Sequence, residues 1–428
     1  MSIIALAGAG GSHPATIAAV HAALRDAGQT TLFLDLSAFD TRSGTGAAIP
    51  GAVHVRPSPR DMGLWPVFRT TAPNLALSGG RKRFATMVTG FAGLLSAHRV
   101  SALMLCHAWG FPEQALLAAA GRIGVPVAQI DEGPFSFPIR PRDAPAFAAT
   151  PRGRVQALVQ RAGLLPPRDL TGDQVALFLA TSPGRGAMLR QRGLPAERLA
   201  IVPAPRFDPL AETRRSWPRR ARATRPRLLV LHQPFARDRK VFASEARRAE
   251  DTLAAALLGF DDCEIRIRLH PRTDPAERAR VLRRFAPAAA STIADPFAEL
   301  LASDLVVGFY SSMLLEAAAC GAPAAAVRLD PAAFHEAFEG RKATAITTLG
   351  VPVADDAASL AAVMRRQLER GFVPPSPTLF DEHFGTLDGS GARQVAAHLI
   401  AIADGKQAED RDGRPVGRAA VERTDLRV

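Results

Sequence analysis

Cysteine is scarce. Cys106, Cys263 and Cys320 are the only three in 428 residues, and they are too scattered for a disulfide framework. Each lies in an apolar segment without metal-ligand spacing, so they are expected to be core thiols of a reducing, cytoplasmic compartment. Long apolar runs are missing too: none reaches the roughly 18–20 residues that span a bilayer. The opening stretch from Met1 to Gly11 has no positive leading region and passes straight into a glycine turn. It is therefore read as a buried first strand rather than a signal peptide. Aromatic residues make up only 6% of the chain, and no RNA-binding aromatic signature, zinc finger or basic zipper is present. No nucleic-acid partner is expected. No Asp-x-Asp pair ends a strand and no His/Asp/Glu cluster has ligand spacing, so no metal and no cofactor are expected. A solenoid is excluded by the lack of any repeat with a period of about 20–50 residues.

What the chain does have is length, apolarity and positive charge. At 428 residues, 47% of them hydrophobic, it exceeds one ordinary core, so two domains are expected. The formal charge of +12 comes mostly from arginine spread over helix faces and loops. Only the run from Arg214 to Arg222 is dense, which suits anionic substrates or peripheral attachment to the inner face of a membrane. A solvated basic surface is the plainer reading of the same residues.

Short apolar strands alternate with amphipathic helices throughout, the pattern of parallel α/β sheets. The first half carries strands at 2–7, 31–36, 102–106, 125–130 and 175–180. A polar, proline-broken stretch at 211–226 reads as a basic linker between an N-terminal domain, 1–210, and a C-terminal domain, 227–404. Helices are expected at 331–339 and 391–403, among others. Residues 405–428 lose apolar periodicity and read as a disordered tail.

The chemistry is expected where strands end, since open α/β sheets bind ligands at their carboxyl edge. Strand 263–269 runs into His270-Pro271. Strand 305–309 opens onto Tyr310-Ser311-Ser312 and a helix. Hydroxyls and free N–H groups at a helix start suit a phosphate, to which His270 can also donate. A plain N-cap and a plain turn are the structural readings of the same residues. Strand 125–130 ends in Asp131-Glu132-Gly133, where one carboxylate can act as a base while its neighbour raises its pKa. The glycine turn with Gly10 and Gly11 suits the approach of an acceptor; it matches a dinucleotide fingerprint only loosely, lacking the third glycine. His232 and Gln233 close the first strand of the second half.

With Asp131-Glu132-Gly133, His270-Pro271 and Ser311-Ser312 in this order, the chain resembles the bacterial sialyltransferases and polysialyltransferases. Its last two motifs also resemble the capsule-type Kdo transferases. The resemblance covers three short motifs. It implies a GT-B type α/β fold, two Rossmann-like domains facing a central cleft, and an inverting, metal-independent glycosyltransferase. The donor would be a CMP-activated 2-keto acid sugar, the acceptor a glycan or glycolipid of capsule or lipopolysaccharide. Asp131 or Glu132 would be the base, with the choice left open, and His270 would stabilise the departing phosphate. Ser311, Ser312, Pro271, Glu316 and Gln233 would hold the donor; Gly10, Gly11 and Gly133 would face the acceptor. A CDP-glycerol-type glycerophosphotransferase and a non-catalytic nucleotide- or glycan-binding GT-B protein are the alternatives.

Overall fold

Glycine and proline punctuate the apolar runs, and each run becomes a strand of a parallel sheet. The computed structural model describes residues 3–9, 13–39, 49–62, 64, 75–108, 110–130, 154, 158–165, 174–191, 193–211, 224–238, 240–270, 273–334, 346–347, 350–371, 373, 375–405, 408–409 and 415–416. The chain divides into two compact units, Met1–Asp208 with Glu382–Val428, and Pro209–Asp381.

The first unit holds seven strands: β1 (Ile3–Gly8), β2 (Thr30–Asp35), β3 (Val53–Val55), β4 (Val100–Leu105), β5 (Val127–Ile130), β6 (Leu177–Ala180) and β7 (Leu199–Ile201). Their order is β3-β2-β1-β4-β5-β6-β7, and every pairing is parallel. The strands are apolar on both faces because both faces are covered. On one side α1 (His13–Asp26) brings Ile17, Val20 and Leu24 against Ile4 and Leu6. On the other, α2 (Gly80–Ala97) and α3 (Phe111–Arg122) bring Met87, Phe91 and Leu116 against Leu32 and Leu103. Helix α4 (Pro183–Gln191) follows β6.

The second unit repeats the plan with β8 (Arg227–His232), β9 (Glu264–Leu269), β10 (Ala289–Ala290), β11 (Leu305–Gly308), β12 (Ala324–Val327) and β13 (Val353–Ala354). The order is β10-β9-β8-β11-β12-β13, again parallel. Its helices are α5 (Ala243–Leu257), α6 (Pro275–Arg284), α7 (Pro296–Ala302), α8 (Ser312–Ala319) and α9 (Ala357–Arg370). Asp274, Asp295 and Asp356 cap α6, α7 and α9 by accepting from backbone N–H groups of the first turn. Helix α8 stops where Gly321 takes a positive φ of 77°, and Ala322 donates back to Ala317 at 2.9 Å.

Three expectations need correction. Helix α10 (Gly391–Ala403) does not belong to a domain ending at 404: it joins the first unit, with Val395 and Leu399 in the α1 core. Asp208 fixes its start, accepting from Gly391 N at 2.9 Å and Ala392 N at 2.8 Å. Ser182 Oγ donates to Glu382 O at 2.8 Å where the returning chain arrives. The helix expected at 331–339 is a three-residue 3-10 turn, Pro331–Ala333. Phe334 is already extended and bridges Val241, and 335–339 lie outside the described residues. Within the expected disordered tail, Ala408–Glu409 pair antiparallel with Pro415–Val416. Residues 212–223 of the expected linker lie outside the described residues.

Candidate functional site

A doubly wound sheet opens a crevice where consecutive strands leave in opposite directions. In the second unit that switch point lies between β8 and β11. Register places Leu231 beside Gly308, and His232 beside Leu269, the residue before His270. A Cβ at Gly308 would stand 3.0 Å from Leu231 O, so glycine lets β11 lie close to β8 at this point. Three neighbouring strand ends thus deliver the sequence candidates to one edge: His232 and Gln233 from β8, His270 from β9, Ser311 and Ser312 after β11. Pro271 lies outside the described residues.

Ser311 is the N-cap of α8. Its Oγ accepts from Met313 N at 3.2 Å, and its carbonyl accepts from Leu314 N at 3.2 Å. The structural reading of this serine is therefore correct as far as it goes. Accepting at the cap still leaves the hydroxyl proton for donation to a ligand. Glu316, one turn on, is buried.

The side chains around His232 form a network that strand-end motifs do not show. His232 is 2% exposed, and its Nε2 stands 3.1 Å from Glu250 Oε1. Arg280 grips both oxygens of Glu250, at 2.7 and 2.8 Å, and both oxygens of Glu277, each at 2.8 Å. Burial pushes the Glu250 carboxyl up, but Arg280 and His232 together outweigh it and hold it down at about 2. Glu277 is lowered by the Arg280 hydrogen bonds, and Arg280 is raised by both acids, Glu277 foremost. His232, Glu250 and Glu277 bring ligating atoms within 4.8 Å of one another, although no ligand spacing in the sequence ties them. Arg280 already donates to both carboxylates.

Sequence reasoning missed Glu250, but its signal was present. The buried stripe of α5 is Ala246, Ala249, Glu250, Leu253, Ala256 and Leu257. A glutamate on such a stripe needs a partner, since a buried unpaired carboxylate is costly.

In the first unit the switch point lies between β1 and β4. His13 opens α1, and its Nδ1 accepts from Ala9 N at 2.9 Å. His107, just past β4, meets the His13 ring edge-on at 4.8 Å. Its Nε2 is 3.9 Å from Glu113 Oε1 in the first turn of α3. Glu113 folds back over Gly110, where a Cβ would lie 2.1 Å from its Oε2. Neither histidine was singled out from sequence, though His107 stands just past β4 and His13 opens the helix after β1. Gly10, Gly11, Asp131, Glu132 and Gly133 lie outside the described residues; β5 ends at Ile130.

No protein-family model matches the chain, and no curated protein matches its sequence. Solved structures do match. UDP-GlcNAc 2-epimerase from Neisseria meningitidis, bound to UDP-GlcNAc, is 11% identical, with TM-score 0.53 over 94% of this chain and 98% of that one. The S. aureus MnaA–UDP structure is 10% identical, with TM-score 0.55 over 98% and 100%. A glycosyltransferase of kitacinnamycin is 14% identical, with TM-score 0.56 over 94% and 99%. The fold is GT-B. At such identities the likeness extends to the fold alone, two Rossmann-like α/β domains.

These likenesses overturn the sialyltransferase and Kdo-transferase resemblance, and with it the CMP-sugar glycosyltransferase and its capsule or lipopolysaccharide product. The reason is physical. A Ser-Ser helix start and a His-Pro strand exit are what a parallel sheet delivers to any phosphate-bearing ligand. Three motifs of two or three residues mark the ligand edge of the fold without marking the family. Among the described residues, no helix is long and apolar enough to cross a membrane.

Proposed function

We propose that the protein binds a nucleotide sugar of the uridine diphosphate class, with the second unit taking the nucleotide at the β8–β11 switch point. The observation that carries this reading is the serine-capped start of α8 beside the ends of β8 and β9. A helix of eight residues leaves the sheet there, its first turn offering the Ser311 and Ser312 hydroxyls. His270 and Gln233 line the same sheet edge, and Glu316, buried one turn into the helix, is our candidate for the ribose hydroxyls. The UDP class is supported by the likeness to proteins solved with UDP or UDP-GlcNAc. Isomerisation of the sugar is the reaction class these neighbours favour. Asp131 and Glu132, which follow β5 in the sequence, are the acids we assign to proton transfer. No metal or other cofactor is required by this reading.

Incubation with UDP-GlcNAc followed by proton NMR tests it: a changed configuration of the sugar, with UDP still attached, is expected. The Ser311→Ala/Ser312→Ala pair should weaken UDP binding by about tenfold or more, the loss of one or two hydrogen bonds to a charged group. Unchanged UDP affinity in that variant would remove α8 from the nucleotide site.

A further inference from the structure

The histidine at the end of β8 has one ring nitrogen fully accounted for and one that is not. Nε2 faces Glu250 at 3.1 Å, while Nδ1 is buried and, among the described residues, has no hydrogen-bond partner. An imidazole nitrogen left so is destabilising unless something fills the position. Phe285 meets the ring edge-on at 6.4 Å and offers no polar group, and Glu277, whose carboxylate also lies near the ring, is held by Arg280.

Glu250 decides which nitrogen carries the proton. Arg280 keeps it ionised and occupies both of its oxygens from the far side. A carboxylate so held can only accept, so the bond to His232 requires Nε2–H. Glu277 fixes Arg280 in turn, through Nε and a terminal nitrogen. Three charged side chains on two helices thus orient one ring on the central strand of the sheet.

We propose that Glu250, clamped by Arg280 and Glu277, holds the His232 proton on Nε2, so that Nδ1 serves as a hydrogen-bond acceptor at the β8–β11 switch point. The group it takes is a hydroxyl or amide N–H of the nucleotide sugar. This rests on the reading of the second unit as a nucleotide-sugar site. Glu250 and Arg280 are positioning residues; they act through His232.

Glu250→Gln separates this from a purely structural role. Arg280 claims the single amide oxygen, the amide NH2 then faces Nε2, and the ring must carry its proton on Nδ1. The acceptor becomes a donor with little change of shape. Nitrogen NMR of histidine-labelled protein reads the tautomer directly, the His232 signals being assigned by their loss in His232→Asn. Wild type is expected to show Nε2–H, with the Nδ1 resonance moving when UDP-GlcNAc is added. Glu250→Gln should show Nδ1–H and bind UDP-GlcNAc about tenfold more weakly. His232→Ala should lose about tenfold, and His232→Asn, whose side-chain oxygen stands near the place of Nδ1, should lose less. If calorimetry shows UDP-GlcNAc bound while the Nδ1 signal stays unmoved, the inference fails and the nucleotide site stands. If neither UDP nor UDP-GlcNAc binds, both fail. A shift of Nε2 on adding Zn²⁺, with Arg280 displaced, would make the cluster a cation site and overturn the proposal.

Discussion

Glu250 makes the second unit's stability depend on pH in a defined direction. Its carboxyl is held at about 2 in the fold against an ordinary 4.5. A carboxyl depressed by folding contributes stability that is complete above the higher value and is lost as pH falls toward the lower one. Denaturant titrations from pH 5 down to about pH 2 should therefore show wild type losing stability, with Glu250→Gln losing distinctly less over that window. Residual slope in the variant is expected, because Glu277 and Glu245 are lowered as well, each chiefly by an arginine hydrogen bond. Identical slopes in the two proteins would mean that Arg280 does not hold Glu250 as described. The residue was legible in sequence as a charge on a buried stripe. Its partners were not, because α5 and α6 meet only in the folded unit and no local pattern ties Glu250 to Arg280.

Helix α10 raises the same issue at the scale of the element. Its amphipathic period announces an apolar face, and periodicity alone does not say which sheet that face covers. Chain order favoured the second domain, but Asp208 and the α1 core claim the helix for the first. The start of α10 is tight: a Cβ on Gly391 would lie 2.5 Å from Pro203 O and 2.9 Å from Asp208 Oδ1. Gly391→Ala should therefore destabilise the first unit by about 1–3 kcal/mol, read as a lower denaturation midpoint at unchanged m-value. Gly93→Ala is the counter-case. It sits in α2 with open space around its Cα and no positive φ, so alanine should stabilise by up to about 1 kcal/mol. Equal effects of the two substitutions would contradict the packing described for α10. The strands, by contrast, were plain in the sequence, since continuous apolar runs such as Leu228–Leu231 are what a sheet buried on both faces demands.

For the whole molecule, the alternation of strands and helices was enough to reach two Rossmann-like domains, because that architecture follows from the hydrophobic pattern itself. The gathering of His270, Gln233, Ser311 and Ser312 at strand ends of one sheet was legible too. The motifs did not mark a family, since a strand-end histidine and a capped helix serve many nucleotides alike. The account assigns binding to side chains and a helix start, so EDTA should leave UDP affinity unchanged; loss in EDTA with recovery on Mg²⁺ or Mn²⁺ would contradict it. The central claim is met most directly by calorimetric titration of the full chain with UDP and, in parallel, with CMP. Saturable binding of UDP is expected, weakened about tenfold or more in the double serine variant, with CMP binding at least about tenfold weaker, a difference of about 1.4 kcal/mol. CMP binding as tightly as UDP, or no binding of UDP at millimolar concentration, would contradict it.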